Sequence, residues 1–201
     1  MPTTRLEAFS DGVLAIIITI IVLELPFPKG DTFHALLADS GSGILTYLLS
    51  FVNVGIYWNN HHHLLSLAER TSGKSLWANL SLLFSLSLLP FTTHWMDDTN
   101  FAQDPTTAYG LNLIAAAITY TLLQASLFAD HAPDSALRRT VQPRAKIAVS
   151  IGLYLVGVLA SALGRGSHVT IGIALACYAI VAAIWVIPDR RVERAVRELR
   201  R

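Results

Sequence analysis

The chain has 201 residues, of which 53% are hydrophobic and only 14% charged, with a formal net charge of +1. A soluble domain of this size carries about 25% charged residues. The charges are also bunched: Ser40–Ala68, Ser75–Met96, Pro105–Ala129, Ile147–Gly164 and Gly166–Pro188 hold no Asp, Glu, Lys or Arg, and each is about long enough to cross a bilayer as a helix. With the first segment this makes six spans, approximately 5–25, 42–62, 75–95, 107–128, 146–164 and 168–188, and leaves no room for a soluble domain. The expected fold is an all-α integral membrane protein with a basic tail at 189–201. The opening residues, MPTTRLEAFSD, lack the cationic start and small-residue cleavage site of a removed signal peptide.

The first span, AFSDGVLAIIITIIVLELPFP, carries Asp11 and Glu24 with only 12 uncharged residues between them. A span needs roughly 20 residues, so at least one acid sits at or inside the membrane boundary, where acids are costly and face a cavity or a partner. The β-branched run IIITIIV would favour a strand in water, but a lone strand in lipid leaves its backbone unbonded. A helix from Thr3 or Thr4 to just before Pro26 is expected, followed by a turn and a short helix at Thr32–Leu37. At 100° per residue Arg5, Phe9, Ile16, Thr19, Ile20 and Leu23 share one side. Periodicity alone leaves a pore wall and ordinary packing both open.

The second span ends YWNNHHHLL, and the third reads SLWANLSLLFSLSLLPF, which Pro90 is expected to kink or end near the outer face. Arg5 and Asp11 are six residues apart and point to different faces, so each needs partners on other helices. Candidates at that level are Trp58, Asn59, Asn60, His61, His62 and His63 on the second span and Trp77 and Asn79 on the third; Ser10 and Asp11 face them from the first. Consecutive histidines point about 100° apart, which suits a hydrogen-bonded network better than one shared metal; pH sensing is the further alternative. No metal is expected. Glu24 either forms an acidic mouth with Asp97, Asp98 and Asp104 or caps a loop. Trp58, Trp95 and Trp185 also fit interfacial anchoring, and Asn53, Asn112 and Gln124 fit helix–helix bonds. Spans four to six carry few polar groups and read as lipid-facing or packing helices. Cys177 is the sole cysteine, so no intrachain disulfide forms.

The N-terminus, the second and fourth loops and the C-terminus hold 13 of the 15 basic residues, while Lys29 and Arg165 alone lie in the other loops. Basic residues stay in the cytoplasm, so both termini are expected inside a plasma membrane. The tail DRRVERAVRELRR aligns Val192, Val196 and Leu199 and is either a solvated tail or a binder of anionic headgroups.

RLEAFSDGVLAI matches the Arg-x-x-x-Phe-Ser-Asp signature that opens the transmembrane protein 175 family of potassium channels, and YWNNHHHL and LWANLSLLFSLSLLPF resemble its second and third helices. The resemblance is strong to about Phe91 and one of hydropathy beyond. It implies a homotetramer with the first helix lining a central pore, closed by rings of Ile16, Ile20 and Leu23 with a Thr19 layer. No TVGYG filter occurs in the chain, so selectivity for potassium is expected to be weak to moderate. No cofactor is implied beyond the permeant potassium ion, and the partners implied are further copies of the chain and the bilayer. An enzyme finds no support in the motifs, and nucleic acid is not an expected partner. An ion-coupled secondary transporter is the alternative, and a transport-inactive scaffold a third.

Overall fold

The computed structural model describes residues 3–140 and 144–186, with the backbone alone for Arg139, Thr140 and Arg144. The basic tail and the last residues expected for the sixth span lie outside the described residues. The helices are α1 (Thr3–Leu23), α2 (Phe33–Ser66), α3 (Gly73–Ser87), α4 (Leu89–Asp98), α5 (Gln103–Asp130), α6 (Ala136–Thr140), α7 (Arg144–Leu163) and α8 (His168–Val186). With α3 and α4 counted as one interrupted helix, six are long and apolar enough to cross a membrane. The protein is a multi-pass, all-helical membrane protein. Arg5, Arg70, Lys74 and Arg138 mark one end of the bundle, called the basic end below; Glu24, Asp31, Asp97 and Asp104 mark the other, the acidic end.

No separate short helix forms at Thr32–Leu37. Thr32 accepts the Ala35 N–H at 3.1 Å as an N-cap, and α2 runs unbroken from Phe33 for 34 residues. Once nucleated by that cap, propagation into the apolar stretch adds one backbone bond per residue at little further entropic cost.

Of the two outcomes expected at Pro90, a kink or an end, the third span shows an interruption after which it continues. The helix breaks at Leu88 and restarts with Pro90 in its first turn, where a missing N–H costs least. Asn112 of α5 covers the break: its amide reaches Ser85 O at 2.8 Å, Leu89 N at 3.2 Å and Thr92 Oγ1 at 3.3 Å. In lipid, such substitutes are what allow a helix to be broken at all.

α5 is the central helix, packed against α3, α4, α7 and α8, and it is not the plain packing helix its few charges suggest. Its Tyr109 is fully buried, with the hydroxyl 3.2 Å from Ser50 Oγ, itself 2.7 Å from Thr93, and 3.4 Å from the donating Asn53 amide. Gln124, also buried on α5, forms no such bond among the described residues. Around α8 the packing is steric. Tyr178 is fully buried where α5 and α7 present Gly110 and Gly157, and a Cβ at either glycine would overlap its ring.

Candidate functional site

The first helix has two faces. Leu6, Ser10, Leu14, Ile17 and Ile21 recur every three or four residues and are buried against the bundle, the spacing that keeps one helix face on a core. The opposite stripe, Phe9, Ile16, Thr19, Ile20 and Leu23, is left uncovered by the chain; Ile16 is 59% and Leu23 77% exposed, against 1% for Leu14. Thr19 donates its hydroxyl proton to Ala15 O and Ile16 O, at 3.0 and 2.9 Å. The donor is thus consumed by the helix itself, so the free lone pairs of the oxygen face outward, available to a cation.

At the basic end a directional chain of hydrogen bonds holds α1. His61 Nε2 donates to Asn79 Oδ1 at 2.7 Å, Asn79 Nδ2 donates to Ser10 Oγ at 2.9 Å, and Ser10 donates to Leu6 O at 2.8 Å. All three side chains are buried, so removal of any one strands a polar group with no water to replace it. Beside this chain, Trp58 Nε1 donates to Asp11 Oδ1 at 3.0 Å, and His62 Nδ1 lies 2.6 Å from Glu7 Oε1. Three helices are thereby joined through Glu7–Asp11, about one turn of α1 that lies one to three turns below Ile16. The structure distinguishes the histidines: His61 reaches Asn79, and His62 reaches α1.

Glu7 is the functional candidate that sequence reasoning missed. It lies four residues before Asp11, on the same helix face, and that phase alone could have pointed to it. Other expected members do not join. Asn59 forms no side-chain hydrogen bond among the described residues, Asn60 donates to Ile56 O within its own helix at 2.8 Å, and Trp77 is exposed. Arg5 is exposed and makes no ion pair among the described residues. Its expected partner on a neighbouring helix is not found among the described residues. Among the described residues, no three His, Cys, Asp or Glu side chains converge as a metal site.

At the acidic end Glu24 follows α1 and lies 4.0 Å from His94 Nδ1, both side chains half exposed. They close an open groove between α1 and α4 whose walls include Ile16, Ile20, Pro90 and Phe91. Asp97 lines the adjoining crevice with Glu24 and His94 and is pressed against the Gly43 backbone. Asp104 instead occupies the first turn of α5, where its charge suits the helix dipole.

A stripe that its own chain leaves bare, backed by a three-helix clamp, sits in a sequence whose residues 5–90 match the family described as the endosomal/lysosomal potassium channel TMEM175. A potassium channel of Chryseobacterium sp. (strain P1-3) is 45% identical over 198 residues, covering 98% of this chain and all of that protein. The chain belongs to the TMEM175 family. This is a family of ion channels rather than of enzymes. The endosomal/lysosomal proton channel TMEM175 of Gallus gallus is 39% identical over 92 residues, covering 40% of this chain and 18% of the longer protein. The fold likewise matches the crystal structure of a lysosomal potassium-selective TMEM175 homologue from Chamaesiphon minutus, with a TM-score of 0.72, 27% identity and coverage of 92% and 96% of the two chains.

Proposed function

We propose that four copies assemble with the bare stripe of α1 turned to a common axis, forming a potassium-permeable pore. The observation that carries this is the division of α1: its other face is fixed in the bundle, so the exposed surface of Ile16, Thr19, Ile20 and Leu23 is left to lipid or another copy. Lipid contact alone gives no use for Thr19, whose outward lone pairs suit a partly dehydrated cation. Rings of Ile16, Ile20 and Leu23 form an apolar neck that dewets when narrow and conducts when widened. Potassium sheds water more readily than sodium and is favoured, modestly, because no cage of carbonyls is available to sharpen the choice. Glu24 rings the acidic mouth and concentrates cations there. The clamp of Ser10, Asp11, Trp58, His61, His62 and Asn79 sets the angle of α1. With basic residues held inside, the basic end and both termini face the cytoplasm of a plasma-membrane protein.

The test is a bilayer recording of purified protein under a potassium/sodium gradient, beside Ile16→Asn. A reversal potential displaced toward potassium is expected, with roughly tenfold larger current or reduced selectivity in the variant. Current unaltered by Ile16→Asn would remove the apolar neck from the gate. The broken third span favours one competing mechanism, ion-coupled transport by a moving element; concentrative tracer uptake without single-channel current would select it.

A further inference from the structure

We propose that the α2–α3 connection is a latch, closed by neutral His131 and released by acid at the basic end of the bundle. His131 is the C-cap residue of α5, 7% exposed. Its Nε2 accepts the backbone N–H of Glu69 at 2.9 Å, and its Nδ1 lies 2.7 Å from Leu127 O. These partners leave no choice of tautomer. A backbone amide only donates, so Nε2 carries no proton; a carbonyl only accepts, so Nδ1 carries one. A second proton has one place to go, Nε2, and there it points at the Glu69 N–H and abolishes that bond. Histidine is the side chain that changes charge between about pH 5 and 8.

Asp130 ties the same connection. Arg70 Nε donates to Asp130 O at 2.8 Å, and the Asp130 carboxylate accepts Ser72 N at 3.2 Å and Ser75 Oγ at 2.7 Å. The side chains of Leu67, Ala68 and Thr71 are buried beneath it. Residues 130 and 131 thus hold both the segment entering α3 and its first turn. The charged groups on the surrounding elements are Asp130 and Asp134 beside His131, Glu69 and Arg70 on the connection, Lys74 on α3, and Arg138 on α6, which donates to Phe128 O at 2.8 Å. The Asp130 carboxylate attracts an imidazolium, so protonation redirects the ring from Glu69 toward Asp130, the residue that holds Ser72. Both ties are then weakened by one proton. Asn79 lies six residues into α3 and bonds directly to Ser10 of α1. A freed α3 terminus is therefore one hydrogen bond from the pore helix; this last link rests on the channel proposed above.

Hydrogen exchange of the full-length protein in lipid nanodiscs at pH 7.5 and 5.5, corrected for intrinsic rates, reads the latch without any ion conduction. Protection of Glu69–Ser72, relative to the middle of α5, is expected to fall about tenfold on acidification, the loss equivalent to one hydrogen bond. His131→Gln offers the same acceptor and donor without a titrating nitrogen and keeps protection within about twofold. Equal protection at both pH values, or an equal fall in His131→Gln, overturns the proposal. Should His131→Gln not fold, imidazole ¹⁵N shifts of the wild type decide: proton uptake at His131 must coincide with the loss of protection. Potassium flux from liposomes acidified at the basic end then changes in the wild type and not in His131→Gln. A latch that opens with flux unchanged overturns its regulatory role, whereas absence of flux at every pH counts against the channel and not against the latch.

Discussion

The two halves of the bundle are joined by different balances of hydrogen bonding and close packing. Around α1, α2 and α3 the contacts are directional: an imidazole, an amide and a hydroxyl in series, flanked by Trp58–Asp11 and His62–Glu7. Around α5, α7 and α8 polar links are accompanied by close steric packing: Gln103 donates to Ala162 O at 2.7 Å, Thr107 to Ser161 at 2.9 Å and Trp185 to Ser150 at 2.8 Å, while Tyr178 lies across Gly110 and Gly157. In lipid, helices gain no hydrophobic energy by pairing, so either close approach of small residues or interhelical hydrogen bonds must supply the attraction. Hydrogen bonds fix rotation and register through a few atoms. Packing against a glycine tolerates no added volume at all but is indifferent to polarity. The half that carries the bare stripe uses the device that fixes orientation.

The contrast can be broken from the packed side at Gly157. An alanine Cβ there would lie 2.6 Å from Tyr178 Cε1 and 3.2 Å from Cδ1 and Cζ. The ring is buried and cannot swing away. Gly157→Ala is expected to cost about 3 kcal/mol, the upper range for overpacking, read as a lowered thermal midpoint of the detergent-solubilised protein. Tyr178→Leu in the same chain removes the clashing ring and restores part of the loss. A Gly157→Ala variant as stable as the parent would mean that the α7–α8 pair is not held by close contact.

Asn79→Ala tests the other half. It deletes two bonds at once and leaves Ser10 and His61 buried, while creating only a small void. Interhelical bonds in membranes contribute on average about 0.6 and at most about 1.7 kcal/mol each, so a loss of about 1–3 kcal/mol is expected. Unlike Gly157→Ala, it should also alter ion flux, because it frees α1. Loss of stability with conduction unchanged would reduce the clamp to a structural fastening.

The two devices also differ in how far the sequence discloses them. Six spans follow from the charge-free windows, because a charge in lipid costs so much that its absence is informative. The α1 stripe follows from the helical period, and the polar cluster from buried groups needing partners, although which histidine meets which partner depends on rotamers that no pattern encodes. Tyr109, Gly110 and Tyr178 gave no such signal. A tyrosine in an apolar run looks like any large side chain, and a glycine used for close approach looks like one used for a bend. Thr32 was likewise visible as the start of a helix, but its cap starts a 34-residue helix rather than a short one, since nothing in Phe33–Ser66 stops propagation.

The smallest expected change in stability belongs to Thr19→Val, and it sharpens the comparison most. Valine keeps the shape and the β-branch, and the hydroxyl it removes donates only to the backbone of its own helix, to Ala15 O and Ile16 O. Carbonyls in that position already have their helical N–H partner, so the extra bond adds little. The residue touches no core, and stability should stay within about 0.5 kcal/mol, as for ordinary surface substitutions. Ion choice is a separate matter. If the outward lone pairs of Thr19 replace part of the water around a passing cation, their loss leaves an apolar ring at that level, and the reversal potential under a potassium/sodium gradient should move toward zero with total current reduced. A side chain that the fold does not need, on a helix face that the chain leaves bare, would then be explained by conduction. Unchanged reversal potential in Thr19→Val would instead place the discrimination at the isoleucine and leucine rings, where only the width of the neck can act.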